Sequence, residues 1–181
     1  MGDLSWGTHL CQFYHQHDDL VESVVPYLAA GLDQNEACLW ILDEIMDIGK
    51  ARELLAQRIR GYDKFARRGQ IRVVSAQEWY FDPGFNGKKL IAKMEKVVEA
   101  VSLKKMDGVR VAGGIHKIAR RQWDSWGAYE ETVGRLLPGM KAMALCTYSL
   151  VNCPVTQISK VIACHHKTFL KKGCSWEVVE K

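Results

Sequence analysis

The sequence predicts an α/β fold of three layers, a mostly parallel central sheet with helices on both faces. Three observations predict it. Short apolar, β-rich runs alternate with longer segments whose apolar residues recur three and four positions apart, the mark of repeated βα units. The runs are bounded by Gly, Asn, Asp or Pro. At 181 residues, 48% hydrophobic and 25% charged, the chain has the size and composition of one globular domain, so residues 1–181 are read as a single unit.

In chain order, the first strand is His9 to Tyr14. A helix follows from about Asp18 to Gly31 with Leu20, Val24 and Leu28 on one face, and Pro26 inside it predicts a kink. Ala37 to Leu42 is the second strand, and Ile48, Leu55 and Ile59 give the next helix its buried side. The third strand is Gln70 to Ser75, after which Asp82 to Gly87 reads as a loop of turn residues. Leu90, Met94, Val97 and Val101 line a helix, Gly108 to Ala112 is the fourth strand, and Trp126, Val133 and Leu137 line another helix. Ala142 to Ser149 is the fifth strand, and the alternation from Cys174 to Val179 suits an edge strand.

The charge balance of 25 basic against 21 acidic residues, +4, is too mild for a dedicated nucleic-acid binder, so no nucleic-acid partner is expected. No run of 18 apolar residues occurs, and the opening Met1 to Trp6 lacks a basic, then apolar, leader, so no membrane partner is expected either. A cytoplasmic location follows, with the six cysteines, at 11, 38, 146, 153, 164 and 174, reduced.

Ligands of open parallel sheets collect beyond the carboxyl ends of the strands. Those ends carry Tyr14 and His15, Asp43 and Glu44, Trp79 and Tyr80, Gly113 through His116, and Tyr148. A nucleotide is excluded in its standard mode. The first strand-to-helix turn, Tyr-His-Gln-His-Asp-Asp, has no glycine and no lysine, and it places two carboxylates where a phosphate would sit. His9-x-Cys11 puts an imidazole and a thiol on one face of a strand, where Cys146 and His165 can join them. Packing thiols, a redox or effector-sensing pair, and a metal site all remain open. The absence of C-x-x-C or H-E-x-x-H spacing favours packing and assigns no metal or cofactor. Of His165 and His166, adjacent residues that point apart, one at most is expected to face a site. Arg110, inside an apolar run, needs a partner, and Glu130 or Glu131 on the following helix is the expected one, with a ligand clamp as the alternative. Trp79, Trp123 and Trp126 are either pocket wall or core.

His9-Leu-Cys11-Gln-Phe13-Tyr14, Val25-Pro26-Tyr27-Leu28-Ala-Ala-Gly31-Leu32, Glu36-Ala-Cys38-Leu39-Trp40-Ile41, Gly108-Val-Arg110, Tyr129-Glu130, Leu145-Cys146-Thr-Tyr148 and Cys164-His165-His166 occur in this order along nearly the whole chain. Together they resemble the MEDS domain, the methanogen and methylotroph sensory domain. The resemblance implies a degenerate RecA-like fold without its phosphate loop, and a sensory module for small hydrocarbon derivatives such as methylated or halogenated one-carbon compounds. It also implies signalling through a separate output protein, since the family is often joined to output domains. His9, Cys11, Tyr14, Glu36, Arg110, Glu130, Cys146, Tyr148 and His165 match its recurring positions. The stretch Gly113-Gly114-Ile115-His116-Lys117 departs from the family's Gly-Glu-Met type, which admits an anionic ligand.

The expected ligand-binding set is therefore Tyr14, His15, Trp79, Tyr80, Arg110, His116, Glu130 and Tyr148, and the expected redox or sensing set is His9, Cys11, Cys146 and His165. A rival reading is a Cys/His metal or redox protein, or enzyme, acting on methylated compounds. A third is an adaptor that associates as a homodimer.

Overall fold

The computed structural model describes residues 4–44, 46–116, 118–172 and 175–180. The opening residues Met1 to Asp3, together with Lys117 and Cys174, each named above, lie outside the described residues. Seven strands form one sheet: β1 (His9–Tyr14), β2 (Ala37–Leu42), β3 (Ile71–Ser75), β4 (Val109–Ile115), β5 (Ala142–Ser149), β6 (Lys167–Lys172) and β7 (Ser175–Glu180). Their order is β3-β2-β4-β5-β1-β6-β7, parallel throughout except for the antiparallel β6–β7 pair. The α-helices among the described residues are α1 (His17–Asp33), α2 (Ile48–Arg58), α3 (Tyr62–Arg67), α4 (Gly87–Leu103), α5 (Trp123–Leu136) and α6 (Val155–Cys164). None of the described helices is long and apolar enough to cross a membrane.

β1 and β4 are buried at every position because both faces of the sheet are covered, which is why their sequences read as unbroken apolar runs. Alternation then sorts the side chains. Leu10, Tyr14, Trp40, Ala112 and Leu145 pack with α1, α2 and α3. Phe13, Ile41, Val111, Ala144 and Tyr148 pack with α4, α5 and α6 on the opposite face. The polar residues within these strands are drawn into the interior with their neighbours, so each needs a partner there.

The five parallel strands read from the sequence lie where expected to within one residue at their starts, and β4 runs three residues further, to Ile115. α1 is continuous through Pro26. Asn86, at the end of the 82–87 loop, caps α4 by accepting the Lys89 amide at 3.0 Å. α6, β6 and a single π-helical turn, Gln77–Phe81, were not expected.

Candidate functional site

A buried polar cluster lies on the α5 side of the sheet, below the strand ends. His9 opens β1, Cys146 lies mid-way along β5, Glu130 projects from α5, and His165 follows α6. One ligand atom from each of these four lies within 4.8 Å of every other. His9 Nε2 is 3.2 Å from Glu130 Oε2 and 3.4 Å from Cys146 Sγ. His165 Nε2 is 3.6 Å from the same carboxylate oxygen, and Cys146 Sγ is 3.7 Å from it.

Each member is oriented by a second contact. His9 Nδ1 lies 3.2 Å from the Cys164 carbonyl and His165 Nδ1 lies 2.6 Å from the Val161 carbonyl. A carbonyl only accepts, so both Nδ1 atoms carry hydrogen, and in the neutral rings both Nε2 atoms present lone pairs to the cluster. The Tyr148 hydroxyl donates to Glu130 Oε1 at 2.6 Å and accepts from Trp126 Nε1 at 3.1 Å. His166 accepts the His9 amide on its Nδ1 at 3.0 Å, so both histidines of the pair engage His9, though only His165 reaches the cluster.

Burial pushes His165 down to about 4, and the facing His9 adds to this. Burial alone would raise Glu130, but the His9 bond, the His165 and His9 charges and the Tyr148 bond together hold it below the usual carboxylate range. Burial, then the Glu130 charge, pushes the Cys146 thiol up. Cys11 lies on the same face, directly across from Cys146 in the β1–β5 register, but its Sγ contacts Thr168 Oγ1 at 3.2 Å and burial raises it to about 12. Both are free thiols. Neither has the exposed, cationic surroundings that make a thiolate reactive.

Adjoining the cluster is a cavity of about 40 Å³. It is floored by β4 and β5 and roofed by α4 and α5. Its walls are apolar (Ile41, Met94, Val111, Val133, Met140, Ala144), with the phenol rings of Tyr80 and Tyr129, and Glu130 and Cys146 supply its polar end. About 10–15 Å³ admits one water, so the space suits a molecule of a few heavy atoms. Tyr129 and Ile91 also line a surface cleft between α4 and α5, so they form the partition between interior and solvent. Phe85 packs edge-on against Tyr129, with ring centroids 6.0 Å apart.

The expected ligand set does not converge at the strand ends. Tyr14 faces the α1 side and Tyr148 the α5 side of the sheet. His15 is exposed at the start of α1. Trp79 packs over β2 near α4, with Lys93 Nζ 3.9 Å from its ring centroid, whereas Tyr80 reaches the cavity. His116 does lie at a strand end, its Nε2 2.9 Å from Asn152 Nδ2 and its buried Nδ1 without a partner among the described residues. Arg110 requires a correction. It points to the α1 face and pairs with Glu36, Nε to Oε2 at 2.5 Å and Nη2 to Oε1 at 3.0 Å, and it also donates to the Tyr27 carbonyl and to Gln34. Glu130 is thus no partner of Arg110, because residue 110 and helix α5 sit on opposite sides of the sheet. Among cluster members Glu130 was the one misassigned, yet it lies on the same stripe as Trp126, Val133 and Leu137, and a carboxylate inside an apolar stripe is itself a signal. Gly134, which lets α5 approach the His9–Cys164 contact, carried no such signal.

A wide cleft of about 430 Å³ does open at the ends of β2, β3 and β4, lined by Asp43, Glu44, Phe81, Phe85 and Gln122. Asp43 is the buried group there. Its Oδ1 accepts the Glu44 amide, its Oδ2 has no partner among the described residues, and burial pushes it up to about 6.

A family model described as MEDS, the methanogen/methylotroph, DcmR sensory domain, matches residues 8–166. The chain belongs to the MEDS family. It is thus placed among sensory domains, and the cluster and cavity just described fall within the matched MEDS segment. No curated protein matches the chain. Among solved structures, a KaiC-like protein from the hyperthermophilic archaeon Pyrococcus horikoshii is similar with a TM-score of 0.62 at 12% identity, covering 98% of this chain and 78% of that one. The flagellar accessory protein FlaH from Methanocaldococcus jannaschii is similar with a TM-score of 0.58 at 12% identity, covering 99% and 79%. The MEDS fold here is therefore RecA-like.

The nucleotide which that fold class suggests does not fit this MEDS chain. At the β1–α1 turn, Asp19 Oδ2 accepts the His15 and Gln16 amides at 3.2 and 3.1 Å, and Lys171 Nζ binds Asp19 Oδ1 at 2.6 Å. A carboxylate already holds the amides that a phosphate would need, and the neighbouring lysine is engaged by it.

Proposed function

We propose that this MEDS chain senses a small, weakly polar organic molecule of the one-carbon or short hydrocarbon-derived kind. The ligand is held in the cavity beneath α4 and α5, and occupancy passes to an output partner without nucleotide hydrolysis. The observation that carries this reading is the cavity itself: apolar on its walls, sized for a few heavy atoms, and ended by Glu130 and Cys146. Because α5 supplies both Tyr129 and Glu130, a ligand that favours one placement of α5 shifts the population of that placement. The output partner is read as protein, a separate chain or a second copy, since a net charge of +4 gives little to a nucleic acid or an anionic membrane.

A molecule of three heavy atoms gains at best about 4.5 kcal/mol. That corresponds to a dissociation constant near 1 mM. The rival redox or enzymatic reading needs a reactive thiolate, and the raised Cys11 and Cys146 thiols support it less.

The test uses methionine methyls. Met94 and Met140 line the cavity with their side chains, while Met46 and Met106 pack elsewhere. On titration with dichloromethane or methanol, the carbon-13 methyl signals of Met94 and Met140 are expected to shift and those of Met46 and Met106 to stay. Ala144→Leu, which fills the cavity, should abolish the shifts. Uniform shifts, none at all, or shifts that survive Ala144→Leu would overturn the reading.

A further inference from the structure

His9 Nε2, His165 Nε2, Glu130 Oε2 and Cys146 Sγ form a knot of acceptors with too few hydrogens to satisfy it. Both imidazoles spend their Nδ1 hydrogens on backbone carbonyls, so in neutral form they aim bare lone pairs at a carboxylate. His165 Nε2 is fully buried and has no hydrogen-bond partner among the described residues, and the ring is 1% exposed. Charging both rings is no remedy, because their centroids lie only 3.9 Å apart, and charging His9 alone still leaves the His165 Nε2 lone pair bare. A cation at the centre satisfies all four at once.

We propose that these four side chains bind a divalent transition-metal ion, Zn²⁺ by the nature of the donors. Two imidazole nitrogens, one carboxylate and one thiolate make the mixed N, O and S set that such an ion takes in tetrahedral sites. Bonds of about 2.0–2.1 Å to N and O and about 2.3 Å to S give tetrahedral edges of roughly 3.3–3.6 Å. Four of the six donor separations, 3.2, 3.4, 3.6 and 3.7 Å, lie within about 0.1 Å of that range before any metal is added, and all six are within 4.8 Å. Charge also balances. The ion displaces the Cys146 thiol hydrogen, which leaves as a proton, and the thiolate with the Glu130 carboxylate then neutralises the dication, so no net charge is buried. The outer contacts are those of a built site: each histidine is fixed through Nδ1 by a carbonyl, and the carboxylate is held by Tyr148, itself held by Trp126. Glu130 and Cys146 belong also to the cavity wall, so the ion would border the proposed ligand site and supply the bond that a very small molecule lacks.

The site is tested without any organic ligand, so its failure and that of the sensing reading are separable. The full chain, stripped with chelator, is titrated with Co²⁺ while absorption is followed. One Co²⁺ per chain, tetrahedral visible bands, a thiolate-to-cobalt ultraviolet band and displacement by Zn²⁺ are expected. Cys146→Ser should remove the ultraviolet band, whereas Cys11→Ser, altering the neighbouring thiol on the same face, should retain it. Tyr148→Phe, which keeps every donor and the ring, should weaken Zn²⁺ by about 10–100-fold. Circular dichroism and the Met46 methyl signal verify that each variant is folded. Absence of stoichiometric binding by the folded wild type, a band that persists in Cys146→Ser, or unchanged affinity in Tyr148→Phe would overturn the proposal.

Discussion

Arg110 and Glu130 are the two buried charges whose partners decide what this molecule holds together. Arg110 is 1% exposed, and its ion pair with the equally buried Glu36 lies across the sheet from the cavity. Removing one member of a buried pair leaves the other uncompensated, at a cost of about 3–5 kcal/mol. Glu36→Gln is therefore expected to lower urea stability by that order while leaving dichloromethane-induced shifts of Met94 and Met140 intact in the folded fraction; loss of those shifts would tie the pair to the site. Asp43 makes the pH-dependent case. Its folded value is raised to about 6 from an ordinary value near 4, so the native state holds the proton more tightly than the unfolded chain does. The associated stability is present below about pH 4 and is lost as pH rises through about 6. Asp43→Asn should flatten that slope, narrowing the difference between unfolding free energies at pH 4.5 and 7.5 by about 1–2 kcal/mol. An unchanged slope would mean that the carboxyl is well solvated. The sequence marked Arg110 as needing a partner but chose the wrong one. Burial inside a strand follows from composition, whereas the face it points to does not.

Helix α5 supplies Glu130 to the cluster and Tyr129 and Val133 to the cavity, and its two interior glycines separate propensity from packing. A Cβ at Gly127 meets nothing within 4 Å, so Gly127→Ala should raise stability by about 0.5–1 kcal/mol through helix propensity and unfolded-state entropy. At Gly134 the same atom falls 2.8 Å from the Cys164 carbonyl oxygen and 3.4 Å from His9 Nδ1. Gly134→Ala must push α5 from the start of β1, so it should destabilise by about 1–3 kcal/mol and weaken Co²⁺ binding, measured by melting and by absorption. Equal effects at the two positions would show that α5 is not clamped there. The central strands β1, β2, β4 and β5 were legible because burial on both faces forces near-continuous apolar runs. β6 was not, since Lys167, Lys171 and Lys172 interrupt it and, among its described side chains, only Thr168 and Phe169 are buried. It exists because the edge of β1 and the hairpin to β7 both pair with it. Cys146 and His165 were legible as companions of His9, but the carboxylate on the α5 stripe, 16 and 35 positions from them, was read as a partner of Arg110 instead.

For the molecule as a whole, the RecA-like sheet has a first turn whose amides are held by a carboxylate and a buried polar cluster on one face. Saturating MgATP should leave the melting temperature unchanged, because Asp19 occupies the turn amides, while Zn²⁺ at about one hundred times its dissociation constant should add about 2.7 kcal/mol to stability. A melting shift with MgATP that Asp19→Ala enlarges would place a nucleotide at the turn after all.

Local chemistry along the chain determined the strand cores, the helical stripes and a first turn unfit for phosphate, because each of these depends on neighbours a few residues apart. Tertiary structure alone decided that Arg110 turns away from α5 and that Glu130, not Cys11, joins His9, Cys146 and His165 at one point. Alternation tells which residues share a face within a strand but not which helix covers that face. His9 and Cys146, 137 positions apart, are brought within 3.4 Å only by the crossover that lays β1 beside β5.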